Sequence, residues 1–115
     1  MENNDGSDEE RFVKEFLFPL TEYDEKRAET VQKQTKNAIR LIKHFRNREV
    51  SFVLSKVVNH CIAHHDWRTT KSTLRLIHDF LLQLASLPDA MPFARNLASA
   101  CSVLRRWPSP MPRRI

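Results

Sequence analysis

The side chains with the widest chemical range are gathered at one point, His60-Cys61-Ile62-Ala63-His64-His65-Asp66. Two histidines four residues apart share one face of a helix and can chelate a metal ion. A metalloprotease helix would place a glutamate directly after the first histidine, and Cys61 stands there instead. A structural zinc site needs four ligands, and no third one is evident beside His60 and His64. Cys61 and Cys101 each fall on an apolar stripe, where a thiol acts as a small hydrophobe. Two cysteines do not make a disulfide framework, so both are expected to be buried and reduced. No arrangement that would activate a Cys/His pair is visible. No catalytic residue, metal ligand or cofactor is therefore expected. The histidines read as the polar end of a helix, a place the helix dipole favours for them.

The only glycine of the chain is Gly6, in a polar leader. Loops that cradle phosphate need glycine for close backbone approach and positive φ. A P-loop, a dinucleotide fingerprint and a nucleophile elbow are all missing, which argues against a nucleotide or small-molecule substrate site. The net charge of +5 is unevenly spread: residues 1–25 carry −7 and the remaining 90 carry +12. That asymmetry suggests an acidic arm on a basic body, the arm shielding the body or the body binding an acidic partner. Lys36, Arg40, Lys43 and Arg46 share one helical face and would suit a phosphate backbone, although no nucleic-acid-binding motif accompanies them.

Amphipathic helices must hold these residues. Val50, Val53, Leu54, Val57, Val58, Cys61 and Ile62 form one stripe, ending at about His64. Asp66 then caps a helix to about Leu87, with Leu74, Ile77, Leu81 and Leu84 in line and Leu76, Phe80 and Leu87 beside them. Trp67 is expected to anchor the corner between the two, its N–H reaching a carbonyl or water. Upstream, Ser7 caps a short helix with Phe12, Phe16 and Leu17 inward, closed or bent at Pro19. Thr21 and Asp24 open a longer helix to about Arg46, with Val31, Thr35, Ala38, Ile42 and Phe45 inward, and Arg46 to Glu49 turn the chain. After the breaker Leu87 to Pro92, a last helix buries Phe93, Leu97, Ala100, Cys101, Leu104 and Trp107. The expected fold is all-α, a small antiparallel bundle of four to five helices. Residues 1–7 form a disordered acidic leader, 8–107 a single domain and 108–115 a basic, proline-rich tail. No apolar run nears the roughly 18 residues of a membrane span. Phe12 to Leu20 is preceded by acids and interrupted by Lys14 and Glu15, so it is no secretory signal. A cytoplasmic, soluble protein is expected.

With these helices placed, residues 57–106 resemble the N-terminal helical domain of the beta regulatory subunit of eukaryotic translation initiation factor 2B, the complex that exchanges guanine nucleotide on initiation factor 2. The resemblance rests on an aliphatic helix ending in Ile62, then His65 and Trp67, then Leu76-Ile77. Past a proline loop, Asn96 opens an apolar-basic helix from Leu97 to Val103-Leu104-Arg105-Arg106. Residues 1–30 have no counterpart, the loop before Val50 is shorter, and the α/β domain of such subunits would lie beyond Ile115. In that family the helical domains help receive the alpha subunit of factor 2, and another subunit carries out catalysis. The resemblance implies a non-enzymatic protein–protein interaction module, a truncated regulatory subunit or a separate protein that kept the helical part. Its partners would be initiation-factor subunits, with Arg105 and Arg106 as basic candidates for an acidic partner. The alternative is a small basic helical protein that binds nucleic acid. A metal-dependent enzyme built on His60 and His64 is an outside possibility.

Overall fold

The computed structural model describes residues 7–22, 24–88 and 92–106, and every described element is helical. The all-α class is as read. Expectations for residues 1–6, for Asp89 to Met91 in the breaker, for Trp107 and for the basic tail lie outside the described residues.

Ser7 caps α1 (Asp8–Phe12), its hydroxyl accepting from the Glu10 amide at 3.2 Å. Three acids in that first turn match the positive end of the helix dipole. The chain then widens into a π-helical turn, Val13–Leu17, and tightens into a 3₁₀ turn, Phe18–Glu22, around Pro19. Phe12, Phe16 and Leu20 recur every four residues, with Val13 and Leu17 beside them, and all five are buried. On a regular α-helix that spacing drifts by about 40° per step. The wider π turn absorbs the drift and keeps both rows facing inward.

The expected single helix from Thr21 to Arg46 is in fact two. Asp24 alone is the cap, accepting from Lys26 and Arg27 amides, while the Thr21 hydroxyl donates to Phe18 O inside the 3₁₀ turn. α2 (Glu25–Gln32) ends at a turn over Lys33 and Gln34, and α3 (Thr35–Ile42) follows. The break lets α2 pack on the 3₁₀ turn while α3 packs on α1 and α5. Phe45 still reaches the core, from the loop that follows α3.

α4 (Glu49–His64), α5 (Trp67–Ala85) and α6 (Pro92–Arg106) lie close to the expected bounds. Asp66 Oδ1 accepts from the Thr69 amide at 2.8 Å and caps α5. α5 and α6 form the most extensive pairing, and α4 packs on both. Asn96 at the start of α6 donates to Asn47 Oδ1 and ties α6 to the loop before α4. Five phenylalanine rings run through the core in sequence: Phe80, Phe16, Phe12, Phe45 and Phe93, at centroid distances of 6.3, 5.9, 6.1 and 5.1 Å. The N-terminal segment thus supplies two of the five rings. It is a clasp built into the bundle, where charge alone suggested an arm. Its acids meet the body as well, Asp8 with His44 at 3.4 Å and Glu10 with Lys56 at 3.3 Å. Val50, Val58, Ile62, Leu76 and Leu87, read as stripe residues, are only partly buried, and so are Ala100 and Leu104 on the last helix. Among the described residues no helix is long and apolar enough to cross a membrane.

Candidate functional site

The histidines meet at the corner between α4 and α5. The end of α4 presents His60 and His64 with ring centroids 4.6 Å apart, tilted by 52°. Phe18 stacks on the other side of His60 at 4.1 Å and 15°. His65 Nε2 lies 2.7 Å from Thr21 O, and because a carbonyl can only accept, that nitrogen carries the proton. Burial holds the His60 pKa below its ordinary value, neighbouring His64 and His65 push the same way, and Glu22 opposes them. The arrangement pins the 3₁₀ turn to the end of α4. Among the described residues no group of three His, Cys, Asp or Glu side chains could hold a metal ion.

The thiols are no better placed for chemistry. Thr73 Oγ1 spends its one proton on Thr70 O at 2.9 Å, so it accepts from Cys61 Sγ at 3.6 Å. Cys101 Sγ donates to Leu74 O at 3.6 Å. Burial raises both pKa values, that of Cys101 to about 12. A nucleophile needs a lowered pKa and access, and neither thiol has them. Trp67 packs against the core as a corner anchor, but its indole N–H finds no protein acceptor among the described residues.

Lys36, Arg40, Lys43 and Arg46 are all exposed. α3 stops at Ile42, so only the first two stand on one helix, and Arg40 shares its surroundings with Arg11 and Glu15. The expected continuous basic face is therefore broken at its end.

A second set of cations lies on α5 and α6. α5 and α6 carry Arg68, Lys71, Arg75, Arg95, Arg105 and Arg106 against one acid, Asp79. Among the described residues every ion pair falls between positions 8 and 56, so none of these six cations is matched. Arg105 and Arg106 part company here. Arg105 Nη1 turns inward and donates to His78 Nδ1 at 3.0 Å, which fixes that nitrogen as an acceptor. Burial lowers the His78 pKa, and the facing guanidinium lowers it further. Arg106 stays exposed at one end of an open groove between α5 and α6, with Arg95 toward the other end. The groove is walled by Leu82 and Val103, both large, apolar and exposed. Sequence reading passed over Leu82 and gave Val103 no role in binding. The available signal is that each lies off its helix's inward stripe, and each is exposed among the described residues. No protein-family model, curated protein or solved structure matches this chain.

Proposed function

We propose that the chain is a non-enzymatic helical module that binds another protein through the outer side of the α5–α6 hairpin. The observation that carries this reading is one groove that holds Arg95 and Arg106, neither in an ion pair among the described residues, together with the exposed Leu82 and Val103. Charges near a protein's own opposite charges are satisfied at home; a surface of one sign beside exposed leucine and valine is built for complementarity with something else. The raised pKa values of the buried thiols and the hydrogen bond that clasps His65 to Thr21 O are in keeping with a role other than catalysis. The resemblance to the beta subunit of initiation factor 2B supplies the candidate partners, the subunits of initiation factors 2 and 2B, and with them a cytoplasmic site of action. Arg105 and Arg106 take part unequally, Arg106 as a contact and Arg105 as the strut that holds His78. The test is co-elution of the full chain with purified initiation factor 2 or the exchange complex. Retention by wild type and its loss in an L82D/V103D variant supports the reading. Failure of wild type to retain any subunit removes the translational assignment. Binding to duplex or single-stranded nucleic acid that falls by roughly 0.9 log unit per log of salt for each phosphate contacted would instead favour the exposed cations of α3.

A further inference from the structure

We infer that the α5–α6 groove receives an acidic amphipathic helix of the partner, with carboxylates about three turns apart; this rests on the reading of that face as the contact surface. Leu82 is 49% exposed and Val103 45% exposed. A single exposed apolar residue is ordinary, but these two wall one groove whose floor includes Ala85 and Ala98. A groove between two packed helices accepts a third helix, its apolar stripe inserted at spacings of three and four residues. Arg95 and Arg106 mark the ends of the groove. They are eleven residues apart on α6, about 16 Å along the axis at 1.5 Å per residue. A partner helix lying along the groove therefore meets both guanidinium groups only if its own carboxylates are separated by about the same eleven residues. The two turns between them must be apolar to cover Leu82 and Val103. Charge complementarity selects this groove over the one between α4 and α6. That groove shares Val103, but its polar rim is Ser51, Ser55 and Asn59, which carry no charge.

The test uses the full chain and fluorescein-labelled, helix-forming peptides read by anisotropy. The probe has leucines four and seven residues after a first glutamate and a second glutamate eleven residues after it, which puts all four on one face. One control keeps the composition but scatters those residues around the helix. A second control has lysine for both glutamates. Wild type is expected to bind the probe about tenfold more tightly than either control. An R95E/R106E variant should reverse the preference and bind the lysine peptide about five- to tenfold more tightly than the glutamate one. That gain also shows the variant to be folded. Equal affinity of wild type for probe and controls, or a charge-reversed variant that still prefers the glutamate peptide, overturns the proposal. Initiation-factor co-elution that depends on Leu82 and Val103, together with no peptide preference, overturns the helical occupant while the reading of the face stands. Co-elution that survives L82D/V103D overturns both.

Discussion

Replacing Phe16 with alanine measures whether the N-terminal segment is clasp or arm. Phe16 is 2% exposed, stacked on Phe80 at 6.3 Å with ring planes within 7° and tilted against Phe12 at 5.9 Å. Emptying such a site removes the transfer free energy of the ring and leaves a cavity that the π turn closes only in part. The expected loss is about 3–5 kcal/mol. With an m value of about 1.5 kcal/mol/M, the urea midpoint should fall by about 2–3 M. A domain of this size has a stability of roughly 5–15 kcal/mol, so a large share would be gone. Far-UV circular dichroism in urea reads the transition. F16L keeps most of the volume and should cost less than about 1.5 kcal/mol. E15A touches only the exposed pair with Arg11 at 3.5 Å and should stay within about 0.5 kcal/mol. If F16A shifts the midpoint no further than E15A does, the aromatic ladder is not part of the stabilising core. Removing residues 1–22 takes out Phe12, Phe16, Leu17 and Leu20 along with the acids, so the bundle itself should lose cooperativity.

Three further outcomes follow from the interior. His60 and His78 both have pKa values below the ordinary 6.5 when folded, so the unfolded chain binds more protons just under that value. Stability is then complete above pH 6.5 and falls as the pH drops through 6.5 toward the folded values, with Glu22 and Asp79 moderating the two sites. Urea midpoints on either side of that window should converge in an H60N/H78N variant, and an unchanged pH slope would count against these assignments. Cys61 and Cys101 should both resist a disulfide reagent at mildly alkaline pH and react fully in denaturant; a fast native phase would contradict their burial. Thr70 Oγ1 is buried with no protein partner among the described residues, whereas Thr73 Oγ1 donates to Thr70 O. T70V should therefore be neutral or stabilising by up to about 1 kcal/mol, and T73V destabilising by about 1 kcal/mol. Thermal melts of the two variants in parallel would expose the opposite order.

What the sequence let one read was whatever depends on period. α4, α5 and α6 announce themselves because Val53, Val57 and Cys61, then Leu74, Ile77 and Leu81, then Phe93, Leu97 and Cys101 repeat at helical pitch and are buried. The break after α2 was hidden for the same reason. Val31, Thr35, Ala38 and Ile42 keep the period across Lys33 and Gln34, and no glycine or proline marks the turn. What forces the bend is tertiary: α2 has only Ala28 and Val31 to bury, and a straight rod would carry both away from the 3₁₀ turn they pack near. The N-terminal clasp misled through composition, since nine acids in the first 25 residues outweigh one short apolar row in any charge count. Energetically the order is the reverse. A fully buried phenylalanine contributes a few kcal/mol, while a half-exposed ion pair contributes a fraction of one. The proposed contact face was the least legible feature, because Leu82 and Val103 stand out only by failing to join a stripe. Such a residue looks like noise in a periodic pattern until α5 and α6 are set side by side and the two are found on the walls of one groove. The proposed contact surface is therefore written in what the bundle leaves unburied, and only the packed bundle shows which residues those are.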